Sequence, residues 1–293
     1  MHHQGFLYSA TEPAVRAVTA LLAAGRAHPD TVDELIGFLG SIAQSVVALR
    51  DDEYFAVLVP DLSAAVAEAY PVVLPTLEST SPEDALMLAE CLVAMARIPL
   101  LADRREQLAV LIGELRSAGP PESQPHWVRL LASLGVDVRA DLDDADPAVR
   151  LRAALACEPD PAAREIILAA LAHPAPAGTH RSELVAAAIR VASGFPEIAD
   201  SACAVVARAS WTGAGDEWGE LVRYAFAGGR RPRLTDEQRA LLRALVANPD
   251  LWDPMNGTVG LVYTRAGLPF DRESCRRLAE KRREAAAGSD SAV

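Results

Sequence analysis

Asp146-Pro147 and Asp160-Pro161 each open a run in which apolar residues recur every three or four positions. Runs of this kind, closed by Gly or Pro, follow one another from Thr11 almost to the end of the chain. A short polar side chain just before a proline marks a helix start. Its oxygen accepts an N–H of the first turn, and proline at the first helical position has no N–H to leave unsatisfied. The pattern predicts many short helices in series, each with an apolar stripe that it cannot bury alone. Such helices must lean on their neighbours.

Composition supports helix over sheet. Hydrophobic residues make up 51% of the 293 positions while aromatics make up 5%, so the apolar content is mostly Ala, Leu and Val. Alanine and leucine lose little on entering a helix. The expected fold class is all-α, with almost no β-structure.

The reading along the chain is consistent. "TEPAVRAVTALLAAG" has Thr11 as a cap, Pro13 in the first turn and Gly25 as a stop, and "DTVDELIGFLGSIAQSVVALR" carries Val32, Leu35, Ile36, Leu39, Ile42, Val46 and Leu49 on one stripe. In "LSAAVAEAYPVVLPTLES", Pro71 and Pro75 are expected to bend or interrupt the helix. "SPEDALMLAECLVAMAR" is expected to start at Ser81 with Pro82 as its first helical residue. In the middle of the chain, Asp146 caps a helix that begins at Pro147, with Val149 facing inward and Arg150 beside it. No long Ser/Gly linker divides the chain, so residues 1–270 are expected to form one helical array. Residues 271–293 are expected to add a charged capping helix and a frayed tail.

The motif "DADPAVRLRAAL" (Asp144 to Leu155) resembles the Asp-x-x-Val-Arg-x-x-Ala-Ala core of HEAT repeats, including the HEAT-like repeats of phycobilisome lyases. "TEPAVRAVTALLAA" is similar to it, and "SPEDALMLAECLVAMA" is a degenerate copy in which Leu86 or Met87 stands where the arginine would be. The chain also resembles uncharacterised actinobacterial-type HEAT-repeat proteins through His3, Gln4, Gly5, Tyr8, Ala10 and Thr11 near its start and Gly267, Leu268 and Pro269 near its end. In those relatives the first segment lies inside the array, which implies a beginning within a repeat. The resemblance implies a right-handed α-solenoid of about six stacked antiparallel helix pairs. It also implies an Asp–Arg ladder between repeats, here Asp146, Arg150 and, more loosely, Arg16.

Charge and motif content narrow the function. The formal charge is −12, from 28 Lys+Arg against 40 Asp+Glu, which repels a phosphate backbone unless cations gather on one face. Nucleic acid is a disfavoured partner. Cys91, Cys157, Cys203 and Cys275 are far apart and read as reduced thiols of a cytoplasmic protein. The longest uncharged run, Leu35 to Leu49, is shorter than the ~20 apolar residues of a membrane span, so no membrane partner is expected. "DVRADLDDAD" fails as a calcium loop, because counting from Asp141 puts Asp146 at the glycine position and Arg152 at the bidentate glutamate position. The six histidines are scattered, and the His-Glu pairs of the HEAT-repeat hydroxylase are lacking. No nucleotide, nucleophile or zinc-protease motif occurs. The expectation is no catalytic residue, no cofactor and no metal.

What remains is binding. Trp127, Trp211, Trp218 and Trp252 stand out in an aromatic-poor chain, and "WTGAGDEWGELVRY" gathers Trp211, Asp216, Trp218, Arg223 and Tyr224 just before the basic "GGRRPR" with Arg230, Arg231 and Arg233. Trp, Tyr and Arg are the usual anchors of protein interfaces. Trp211, Trp218, Arg223, Tyr224, Arg230 and Arg231 are therefore the candidate contacts of a non-catalytic scaffold for a protein partner. Two alternatives stay open: a HEAT-like lyase or other small-molecule enzyme with a pocket in the concavity, and an alkylpurine-glycosylase-like DNA binder. The second would need those arginines lined up with Trp211 and Trp218. A closed pocket with a buried carboxylate near a histidine would mark the enzyme, and an open acidic or mixed groove the scaffold.

Overall fold

The computed structural model describes residues 2–3, 6–176, 178–227, 234–252 and 257–280. Among them the secondary structure is helical, apart from a two-rung antiparallel ladder between β1 (His2–His3) and β2 (Phe6–Leu7). Two compact units divide at Ala156, Met1–Ala156 and Cys157–Val293, where the sequence had suggested no boundary.

The first unit holds α1 (Thr11–Ala23), α2 (Val32–Leu49), α3 (Val59–Glu78), α4 (Leu86–Ala96), α5 (Arg105–Ala118), α6 (Gln124–Ser133) and α7 (Pro147–Ala156). Helices pack on their sequence neighbours and also on the helix after next: α1 on α3, α2 on α4 and α4 on α6. The α2–α4 contact is close because Gly40 has no side chain. A Cβ there would lie 3.0 Å from the sulfur of Cys91, whose thiol donates to the carbonyl of Ile36 at 3.1 Å. Ile36, Leu39, Ile42 and Val46 of α2 are buried in the unit's core, as are Leu92 and Met95 of α4, on which α2 packs.

Two expectations are corrected in this unit. Pro71 and Pro75 do not break α3, which runs unbroken through both. Both prolines lie on its exposed side, where the loss of their N–H groups leaves carbonyls that water can reach. Ser81 does not cap α4. Its hydroxyl bonds to the Asp84 carboxylate at 2.8 Å inside a turn, and the helix starts at Leu86. The segment Pro29–Leu49, 21 residues long with Asp30, Asp33 and Glu34 gathered at its start, is long and apolar enough to cross a membrane by length and composition. Here α2 packs on α3 and α4.

The second unit holds α8 (Pro161–Leu171), α9 (Arg181–Val191), α10 (Phe195–Ala207), α11 (Trp218–Ala225), α12 (Asp236–Ala247), α13 (Gly257–Arg265) and α14 (Arg272–Glu280). Its packing is a double row. α8, α10, α12 and α14 touch in succession, as do α9, α11 and α13. The core is aromatic at one end, where Trp218, Trp252 and Phe270 surround Tyr263 with ring centroids 6.2, 4.7 and 5.3 Å away. Two buried amides tie helices together. Asn248 donates to the carbonyls of Val206 and Ala209, both at 2.8 Å. Gln238, in a capping box with Thr235, donates to the carbonyl of Ala225 at 2.7 Å.

Arginine has a structural use that the sequence did not suggest. Arg105, Arg181 and Arg272 are each the first residue of a helix, and each reaches back to a carbonyl at the end of an earlier one. Their acceptors are Ala96 at 2.8 Å, Leu171 at 2.9 Å and Val246 at 2.8 Å. The last carbonyls of a helix have no partner within it, and a guanidinium supplies several donors in one plane.

Candidate partner-binding site

The site lies in the second unit, between α9 and α11. In α9 the apolar face of Leu184, Val185, Ala187 and Ala188 is buried. That leaves Ser182, Glu183, Ala186 and Ile189, spaced three and four apart, along the side that lines the groove. His180 precedes the helix with extended backbone. Across the groove, Asp216 stands in the turn before α11 and Glu220 in its first turn. The enclosed space is about 650 Å³ and open to solvent.

Local anchoring fixes α11. The indole N–H of Trp218 donates to the carbonyl of Ser210 at 2.9 Å, and the side chain is fully buried. Gly219 lies against the turn Trp211–Ala214 so closely that a Cβ would meet the Ala214 oxygen at 1.8 Å. Arg223 closes the same junction, donating to the carbonyl of Gly215 at 2.7 Å and to Glu220 at 3.2 Å. Asp216 is exposed and makes no ion pair among the described residues. The rim thus carries three carboxylates, Glu183, Asp216 and Glu220, and among the described residues no lysine or arginine side chain lines the space.

Only part of the expected contact set lies on a surface. Trp211 is 53% exposed, on the turn that leads to Asp216. Trp218 is corrected from contact to core: its place against Tyr263 leaves nothing for a partner to touch. Arg223 is spent on Glu220 and Gly215, and Tyr224 is half-buried edge-on to Phe195, centroids 6.5 Å apart. Arg230 and Arg231 lie outside the described residues. Trp127 is buried as well and donates to Ser123 at 2.9 Å.

Of the expected ladder residues, Asp146 and Arg150 act locally, while Arg16 reaches from α1 to Glu68 of α3. Asp146 accepts from the N–H of Ala148 at 2.8 Å, capping α7 as the motif implies. Arg150 folds back to the carbonyls of Asp144 and Ala145 at 2.6 and 3.0 Å, and Arg16 pairs with Glu12 and Glu68. Arg150 and Asp146 meet only through the backbone, the Arg150 N–H donating to the Asp146 carbonyl at 3.0 Å. Asp141, in the run that fails as a calcium loop, is clamped by both ends of the Arg116 guanidinium, at 3.1 and 2.6 Å.

Compared with models of known families, with curated proteins and with solved structures, this chain matches none. Its functional reading therefore rests on its own residues. Among the described residues no group of three His, Cys, Asp or Glu could hold a metal ion. Sequence reasoning missed His180, Ser182, Glu183, Ala186 and Ile189. Their spacing on one side of α9 was visible, but which helix faces them was not.

Proposed function

We propose that this chain is a non-catalytic, HEAT-like helical scaffold that holds a protein partner. The packing of helices on the one after next, α1 on α3, α2 on α4 and α4 on α6 in the first unit and both rows of the second, supports stacked hairpins of the α-solenoid kind. The observation that carries the binding reading is Trp211. It is the one described tryptophan more than half exposed, and it stands on the turn beside an open acidic groove. Large aromatic side chains are costly to leave in water and are frequent anchors of interfaces.

Exposure also favours binding over chemistry. His180 is exposed at the mouth of the groove and Asp216 is exposed across it, whereas a site for a small-molecule substrate generally buries most of its ligand. A duplex ligand is disfavoured by the carboxylate rim and by the net charge of −12. Reduced thiols at all four cysteines, two of them buried, fit a cytoplasmic setting.

Affinity capture from the native cell tests this reading, run in parallel with Trp211→Ala. A partner retained by the native chain and lost with Trp211→Ala supports it. Identical recovered sets from both would overturn it.

A further inference from the structure

We propose that the link between α2 and α3 is a contact site, and that its occupant is an apolar pocket rimmed by Lys or Arg on a protein other than a second copy of this chain. The site lies within the first unit and goes beyond the reading built on Trp211. Tyr54 is 84% and Val57 83% exposed, and among the described residues no large apolar side chain is more exposed. An apolar side chain standing alone on a surface is ordinary. These two are paired and braced. The Asp52 carboxylate accepts the Tyr54 N–H at 2.8 Å, the Phe55 N–H donates to the Asp52 carbonyl at 3.1 Å, and the Leu58 N–H donates to the Phe55 carbonyl at 2.9 Å. Phe55 is buried and meets the Tyr54 ring edge-on, centroids 5.0 Å apart. Residues three apart in a turn of this kind lie over one another, so Tyr54 and Val57 stand on one side of it. An aromatic side chain held in this way loses little freedom on entering a pocket, and tyrosine is a frequent anchor of interfaces.

Charge selects the occupant. Asp51 is paired with Arg50 at 3.1 Å. Asp52, Glu53 and Asp61 are exposed and make no ion pair among the described residues, so the apolar pair has unneutralised acids before and after it. A second copy of the chain would bring the same acids against these, and an anionic bilayer would also meet like charge, which costs affinity. An apolar pocket with cations at its rim satisfies both parts of the turn at once, in the usual arrangement of apolar core and polar rim.

The test uses the full chain with the photo-reactive residue p-benzoylphenylalanine in place of Tyr54, irradiated in lysate of the native cell, with the joined peptides sequenced by mass spectrometry. The same residue in place of Leu261, more than half exposed on α13 beside Arg265, is the control. Position 54, and not position 261, is expected to join to a peptide of another protein that is apolar with flanking Lys or Arg. Glu53→Lys in the same chain should lower the yield about fivefold or more, and added salt should lower it too. Val57→Ser should lower the yield while leaving the melting temperature in place, because the side chain is almost wholly in water. Joining to a second copy, to lipid or to an acidic peptide would overturn the inference. So would the absence of an adduct at position 54, equal yields at positions 54 and 261, or a yield indifferent to Glu53→Lys. The capture experiment with Trp211→Ala keeps this turn intact, so the two readings fail separately.

Discussion

The Ala214 carbonyl oxygen occupies the space where a side chain at Gly219 would begin, with only 1.8 Å between that oxygen and an ideal Cβ. The first turn of α11 is thereby pressed onto the turn Trp211–Ala214, and Val262 of α13 closes the same spot at 2.9 Å. The obstacle is backbone, which cannot rotate away as a side-chain tip can. Gly219→Ala should therefore cost about 3 kcal/mol or more, beyond the usual penalty for overpacking. Gly113, inside α5, has nothing within 4 Å of its Cβ position. Gly113→Ala should stabilise by about 0.5–1 kcal/mol, since alanine is the better helix former. Thermal melts of the two variants give opposite signs if this geometry is right.

Arg181 sits half-buried at the start of α9 and bonds to the carbonyls of Leu171 and His173. Burial and the neighbouring Arg208 lower its pKa, so the site is mildly unfavourable for charge and the carbonyl bonds must offset that. Arg181→Met should leave the Leu171 carbonyl at the end of α8 without this partner and cost about 1.5–3 kcal/mol. Arg181→Lys should recover only part of the loss, because an ammonium lacks the planar fork. Denaturant midpoints of the two variants provide the comparison.

Alkaline pH should weaken the fold through buried thiols. Burial pushes Cys91 and Cys275 up to about 12, and it raises Tyr263 as well. In the unfolded chain these thiols lose protons near their ordinary value while the folded chain retains them. A raised folded pKa means the stabilising contribution is complete below the ordinary thiol value and is lost as pH climbs from about 9 toward 12. The slope should be about 1.4 kcal/mol per pH unit for each such thiol. Cys91→Ala should flatten the slope by one group, as read from stability measured at intervals above pH 8.5. Neither Cys91 nor Cys275 should react with iodoacetamide at neutral pH until the chain unfolds.

The two tryptophans of the 211–218 segment should separate cleanly. Trp218→Ala removes a fully buried indole packed on Tyr263 and should cost about 3–5 kcal/mol. Trp211→Ala removes a side chain that is 53% exposed and should change stability by less than about 0.5 kcal/mol. Chemical denaturation of both variants checks the contrast. It also secures Trp211→Ala as a folded reagent for the capture experiment.

Much of the helical grammar was legible because it is local. Asp146, Asp160 and Thr235 each accept from an N–H two or three residues ahead, so a window of four residues contains the whole interaction. The same locality misleads at Ser81, which has the capping residue type but bonds to Asp84 instead. It misleads again at Pro71 and Pro75, where the outcome depends on which side of α3 faces water. The HEAT-like motif led to the correct cap at Asp146 but not to a ladder, because a bond between repeats depends on how neighbouring hairpins are set against each other.

The order of residues by itself determined that the described chain is helical, where most of the helices begin, and that the protein as a whole is acidic. Each of these follows from contacts spanning a single turn or from a sum over composition. Tertiary structure decided which tryptophan is core and which is surface, which carbonyls the arginines reach, and that Glu183 faces Asp216 and Glu220 across one groove. α9 and α11 pack on each other although α10 separates them in sequence, and the side on which each presents its carboxylates is set by burying the opposite, apolar side. That is a property of the packed rows, and no short stretch of sequence contains it.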